Sequence, residues 1–192
     1  MQMNTFENWF CGTWFWRRVT ERTILPWMLN GYSLGDSVLE LGAGLGATTE
    51  ELRKRAKRVI SLEYDHNFVT KLGARFSNTN ASILQGDAAA LPFPDESFST
   101  VIAVLVLHHL KSHEQQERAF AEIYRVLKPG GVFLVFEIKD GWLQRIGHIK
   151  SVFVPISPSE ISDRLTSFGF SEIIVESKGS SFRICALRGG KN

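Results

Sequence analysis

Apolar positions along this chain alternate between two periodicities. Short apolar, β-branched runs at residues 37–41, 58–63, 82–85, 99–107 and 132–138 predict strands. Between them, apolar residues recur three and four positions apart, predicting helices over about 46–56, near 65–76 and from Ser112 onward. The run TVIAVLVL is apolar at every position, as expected of a strand buried on both faces. Ser112, with Gln115 three residues on, forms a capping box, and Phe120, Ile123 and Leu127 share the face of the helix it opens. Lys128-Pro129-Gly130-Gly131 stops that helix. Asp140 reads as the cap of a short helix whose Trp142, Ile146 and Ile149 share a face, and residues 159–168 form a last helix after Pro155 and Pro158. FSEIIVES, KGS and SFRICAL then make a hairpin. The expected fold is α/β: a mostly parallel sheet, helices on both faces, and a C-terminal antiparallel hairpin.

No repeat or low-complexity linker interrupts the 192 residues, so a single domain is expected. It divides into an N-terminal helical lid segment (1–33), a core (34–138), and an acceptor-side segment with the closing hairpin (139–192). The net charge of +2 does not call for a nucleic-acid partner, and the basic cluster over 53–58 reads as a solvated helix face. Cys11 and Cys185 lie outside any metal or redox spacing, which fits a reduced, cytoplasmic compartment, and Cys185 reads as plain core. A signal peptide and a membrane-spanning apolar stretch are not expected. Trp9, Phe10, Trp14, Phe15, Trp16 and Trp27 crowd the start of the chain among Arg17, Arg18 and Arg22. Three readings of that segment stay open: a packed helix, a lid over a pocket, or a membrane-surface helix contacting lipid.

The chemistry concentrates where strands end. In VLELGAGLGATTEEL an apolar strand runs into Gly42, Gly44 and Gly46 and then into a helix, a turn that lets backbone approach a ligand closely. The spacing is GxGxG rather than GxGxxG, so on its own the turn also fits a purely structural role. Glu63 ends the second strand about twenty residues later, where a carboxylate can accept hydrogen bonds from ribose hydroxyls, and Tyr64 beside it can stack on a base. Gly86-Asp87-Ala88 follows the third strand. A nicotinamide-dependent oxidoreductase explains the first two features but not Asp87 or the KPGG turn. His108 and His109, beyond the fourth strand, are candidate bases for an acceptor that must first lose a proton, or else simply shape the turn. His113 and His66 read as surface and loop residues. A Gly-x-x-x-x-Gly-Lys phosphate loop, a metal cluster, and the Asn/Asp-Pro-Pro-aromatic or Pro-Cys signatures of DNA base methylation are all missing, so neither metal nor nucleic acid is expected.

Together, ELGAGLG, the acid after the second strand, the Gly86-Asp87 turn, LPFPDESFSTVIAVLVLHHL and RVLKPGGVFLVFE resemble class I S-adenosylmethionine-dependent methyltransferases. The group that includes the ubiquinone and menaquinone C-methyltransferases looks most similar, over roughly residues 34–137. The resemblance implies a Rossmann-like sheet of seven strands and S-adenosylmethionine as cofactor. It places Glu40 as the acid of the first motif and Gly42, Gly44 and Gly46 at the cofactor's methionine end. Glu63 would hold the ribose, Asp87 the exocyclic amine of adenine, the Ala88 backbone the ring, and Val104 and Leu105 would lie beneath the cofactor. One departure is Ser99, where the family often carries aspartate. The implied function is methyl transfer to a small, partly apolar acceptor with release of S-adenosylhomocysteine. Trp14, Trp142 and Phe153 are the expected acceptor-lining residues. A non-catalytic S-adenosylmethionine-binding module is the alternative. Oligomeric state is left open.

Overall fold

The computed structural model describes residues 13–147 and 151–190; Trp9, Phe10, Cys11 and Ile149 lie outside the described residues. The chain opens with α1 (Trp14–Val19), a π-helical turn (Thr20–Ile24) and α2 (Leu25–Leu29). The alternating core follows: β1 (Ser37–Leu41), α3 (Ala47–Leu52), β2 (Arg58–Glu63), α4 (His66–Phe76), β3 (Ala81–Gln85), β4 (Phe98–Val104), α5 (His113–Val126) and β5 (Leu127–Ile138). Two short helices, α6 (Trp142–Gly147) and α7 (Ile161–Ser167), precede the hairpin β6 (Phe170–Lys178) and β7 (Ser181–Arg188).

The seven strands form one sheet in the order β3-β2-β1-β4-β5-β7-β6. β1 to β5 pair in parallel, and β7 runs antiparallel to both its neighbours. Parallel pairing brings the carboxyl ends of five strands to one edge, and the order reverses direction between β1 and β4. That reversal opens a crevice at the edge, where open α/β sheets bind ligands.

Alternate side chains of the apolar strands serve two core layers. Leu39, Val101, Ala103, Phe133 and Val135 face α5 and α7 through Phe120, Ile123, Ile161 and Leu165. Val38, Val59, Ile102 and Leu134 face the other layer, made of α3, α4 and the N-terminal segment through Leu52, Leu72, Phe76, Ile24, Leu25 and Met28. The N-terminal segment is therefore packed from Trp16 onward, while Trp14 and Phe15 in its first turn stay exposed. Buried Arg183 of β7 ties it down, donating to the Trp27 carbonyl oxygen at 2.8 Å and to Glu176 at 2.9 Å. No helix among the described residues is long and apolar enough to cross a membrane.

Three boundaries differ from the sequence reading. The fourth strand ends at Val104 rather than 107 because Leu105 takes a left-handed conformation (φ 53°) and Leu107–His109 winds into a 3-10 turn. The helix expected to reach 56 stops at Leu52, where Arg55 and Ala56 N–H groups both close back on the Leu52 carbonyl. Strand β5 begins at Leu127, which pairs with Phe98. The KPGG segment thus ends α5 and enters the sheet through an irregular register beside Thr100.

Candidate functional site

The three glycines after β1 all have positive φ, yet each for a different reason. Gly42 lies under Val106: a Cβ there would sit 2.4 Å from Val106 Cγ2. Gly46 lies under α4, with a Cβ position 2.8 Å from Leu72 Cδ2 and 3.0 Å from Phe76. Gly44 faces open space, with nothing within 4 Å of its Cβ position. Its N–H donates to Glu63 Oε2 at 2.8 Å. The turn is pinned to β2 as well, because Gly42 and Ala43 N–H groups both donate to the Leu62 carbonyl.

Glu63 ends β2 beside this turn, and its Oε1 accepts the Tyr64 and Asp65 N–H groups at 2.8 and 2.9 Å. Asp87 follows β3, accepts the Ala89 N–H at 2.9 Å, and faces the side-chain amide of Gln115, whose Nε2 lies 3.3 Å from Oδ2. Glu40 is placed differently. It points into the layer between β1 and α3, where Thr49 and Ser61 hydroxyls both donate to its Oε2 at 2.6 Å. Burial pushes its carboxyl up to about 7; the Ser61 and Thr49 hydrogen bonds oppose the rise and the Glu63 charge adds to it.

The opposite wall is the 3-10 turn after β4. Glu137, at the end of β5, is fully buried and accepts the Leu107 N–H at 2.9 Å and the His108 ring Nδ1 at 2.5 Å. His108 thus braces the turn from behind, with Phe153 packed edge-on against its ring at 5.4 Å. His109 projects the other way, toward the crevice. Its Nδ1 meets the Val152 carbonyl oxygen at 3.1 Å, and since a carbonyl can only accept, Nδ1 carries the proton of that bond. Residues 151–154 are strapped over this turn: Val154 N–H donates to the His108 carbonyl, and Gln116 Nε2 donates to the Leu107 and Val154 carbonyls.

These walls enclose a cavity of about 630 Å³ lined by Gly42, Glu63, Tyr64, Asp87, Ala88, Val106, His109, Lys111, Gln115, Ser151 and Val152, among others. A smaller cavity of about 70 Å³ adjoins it through Gly42, Glu63, Val106 and His109, and adds Gly44, Thr48, Trp16, Val104 and Leu105. The structure therefore brings Gly42, Gly44, Glu63, Tyr64, Asp87, Ala88, Val104, Leu105 and His109 to one crevice. Glu40, Gly46, His108 and Phe153 stand behind it or beside it, lining neither cavity. Trp14 and Trp142 are about 70% exposed (69% and 70%) and line neither cavity. Sequence reasoning missed Trp16, Val106, Gln115 and Val152 as lining residues. Gln115 had a signal in its capping-box position, and Trp16 in the aromatic segment for which a lid was one reading. Among the described residues, no group of three or more His, Cys, Asp or Glu is placed to hold a metal.

A family model described as a methyltransferase domain matches residues 39–135, which contain both the glycine turn and Asp87. The chain is 31% identical over 147 residues to a demethylmenaquinone methyltransferase of Thermobifida fusca, covering 69% of this chain and 58% of that protein. It is 37% identical over 113 residues to a sterol 24-C-methyltransferase of Eremothecium gossypii, covering 56% of this chain and 29% of that one. The chain thus spans less than two thirds of the length of these curated relatives. A SAM-dependent methyltransferase from Aquifex aeolicus shares the fold, with a TM-score of 0.75 at 17% identity over 97% of this chain and all (100%) of that one. With its glycine turn, strand-end acids and sheet order all falling within this pattern, the chain belongs to the family of S-adenosylmethionine-dependent methyltransferase domains.

Proposed function

We propose that the protein transfers a methyl group from S-adenosylmethionine to a small, partly apolar acceptor and releases S-adenosylhomocysteine. The observation that supports this most directly is the pair of carboxylates, Glu63 and Asp87, lining one cavity, with the open Gly44 position of the turn after β1 lining the adjoining one. The residues fit such a cofactor. A side chain at Gly44 would fill a cradle that is bare, and the cavity volume of about 630 Å³ lies in the usual range for small-molecule sites.

When bound, S-adenosylmethionine supplies a methyl group already activated on a sulfonium. The protein's part is then to bind, orient and exclude water. Glu63 Oε1 already holds two backbone N–H groups and Oε2 one, so Oε2 has the capacity to take a ribose hydroxyl. Asp87 would accept from the adenine amine, Ala88 would back the ring, and Tyr64, half exposed at the rim, would stack on it. Val104 and Leu105 would floor the methionine end, in the smaller cavity that Trp16 and Thr48 also line.

The acceptor enters between the first turn of the N-terminal segment and residues 151–154. Trp16, His109 and Val152 make its wall; Trp14, Trp142 and Phe153 line neither cavity and take no part in it. A quinone-type or sterol-type acceptor, as named for the two curated relatives, has the apolar character this wall favours. Where the acceptor must lose a proton, His109, which lines both cavities, would be the base, with the His108 ring packed beside it at 4.2 Å.

Calorimetric titration with S-adenosylmethionine and S-adenosylhomocysteine, with NADH as control, tests the cofactor assignment. Saturable binding of the first two alone supports it, whereas preference for NADH would favour an oxidoreductase. Glu63→Ala is expected to weaken S-adenosylhomocysteine binding by about 1–3 kcal/mol, the scale of hydrogen bonds to a charged group. Unchanged affinity in that variant would remove Glu63 from the ribose role. Binding without turnover across a panel of apolar phenols, quinols and sterols would leave the non-catalytic module as the better reading.

A further inference from the structure

We propose that Gln115 is a positioning residue that makes this cavity selective for a 6-amino purine. The inference rests on the reading that the adenine end of the cofactor lies at Asp87.

Gln115 sits in the first turn of α5, and three separate bonds fix it there. Its backbone N–H donates to the Ser112 hydroxyl at 3.1 Å. Its side-chain Oε1 accepts the Lys111 N–H at 2.8 Å. Because the amide oxygen is committed to a backbone donor, the amide NH2 must face the other way, and it faces Asp87: Nε2 lies 3.3 Å from Oδ2 and 3.5 Å from Oδ1. The bond joins the loop after β3 to the helix after β4, across 28 residues of chain, and both partners line the large cavity.

The consequence is chemical. Asp87 receives the Ala89 N–H on one side and the Gln115 amide on the other, so its carboxylate is held as an acceptor aimed at whatever fills the cavity. A purine edge that meets it must donate. A 6-amino group does so, whereas a 6-oxo group presents lone pairs to a carboxylate and is disfavoured. Gln115 thus does two things with one side chain: its oxygen caps the helix and its nitrogen orients the acid that reads the base.

Gln115→Glu separates the two roles. Glutamate keeps an oxygen for the Lys111 N–H and is itself a usual capping-box residue, with a charge that suits a helix N-terminus. It also replaces the donor at Asp87 by a second carboxylate. Two facing carboxylates share a proton, and a shared proton can be donated to a 6-oxo group. The experiment is calorimetric titration of the full chain and of Gln115→Glu with S-adenosylhomocysteine and with S-inosylhomocysteine, its 6-oxo analogue. The parent is expected to prefer the amino ligand. The variant is expected to keep its melting temperature and to lose about tenfold in affinity for the amino ligand, as for one hydrogen bond to a charged group. It should lose little for the analogue, so that the preference collapses. Gln115→Met, which lacks both the cap and the donor, should lose the same preference with a lower melting temperature.

A parent that does not distinguish the two ligands overturns the adenine reading at Asp87, and this proposal with it. A parent that discriminates, with a variant that discriminates equally or weakens both ligands alike, makes Gln115 a helix cap only; it overturns the proposal and leaves Asp87 in place.

Discussion

Glu40→Gln is expected to gain roughly 3 kcal/mol of stability over the parent as pH rises from 4 to 8, because burial lifts the Glu40 carboxyl from 4.5 to about 7. The cause is local. Glu40 lies opposite Ser61 in the β1–β2 register, inside the sheet layer, and only 2% of it is exposed. Burial disfavours its charge, and the hydroxyls of Ser61 and Thr49 return only part of the lost hydration, so the carboxyl titrates near 7 rather than at its ordinary 4.5. Between those values the folded protein holds a proton that the unfolded chain has released, and stability therefore falls as pH rises. The favourable contribution is fully present below pH 4.5 and is lost as pH passes through about 7. Glutamine offers the same two hydroxyls a carbonyl oxygen and does not titrate. Urea unfolding of both proteins across this range reads the effect directly, since every other titrating group is common to the pair. Parallel stability curves would show that Glu40 does not exchange a proton here.

The second large effect separates glycines that the sequence presents as equivalent. Gly42→Ala is expected to destabilise the fold by about 3 kcal/mol, combining a left-handed alanine with overpacking against Val106. Its Cβ would lie 2.4 Å from Val106 Cγ2 at a backbone φ of 70°. For a domain of this size the melting temperature should fall on the order of 10 °C. Val106→Ala in the same chain removes the closest atom and should restore part of that loss, whereas independent sites would simply add. Gly44→Ala has no steric partner and keeps only the conformational penalty of about 1 kcal/mol. Its methyl would enter the open space beside the glycine turn, so its main effect should be on S-adenosylhomocysteine affinity. A Gly44→Ala protein as unstable as Gly42→Ala would contradict the open cradle on which the cofactor assignment leans.

Much of the fold could be read in the sequence because it is written in local pattern. The second strand runs over 58–63 as its apolar alternation predicts, Asp65 caps α4 by accepting the Asn67 N–H, and Ser112 caps α5 by accepting from Gln115. The hairpin closes through the two residues between Lys178 and Ser181, where Gly179 takes the positive φ that a tight turn needs. Glu63 and Asp87 were legible for the same reason: each sits at the carboxyl end of a strand, and in a parallel sheet all such ends share one edge. What periodicity does not carry is which element covers a face and what a side chain meets there. That Glu40 is buried under Thr49 while Glu63 faces the crevice follows from the sheet layers: Glu40 is the last but one residue of β1 and points into a layer, whereas Glu63 is the last residue of β2 and reaches the edge. The different duties of His108 and His109 depend on Glu137 and Val152, 29 and 43 residues away. The left-handed Leu105 that turns Val106 over Gly42 carries no local signal, because leucine has no preference for that conformation. The sequence by itself determined the alternation of strands and helices, the glycine turn and the positions of the two acids. Only the tertiary structure decided which glycine faces open space, which histidine lines the cavity and which side chain meets Asp87. Those choices are made by contacts between residues that are distant along the chain, and short-range patterning has no means of encoding such partners.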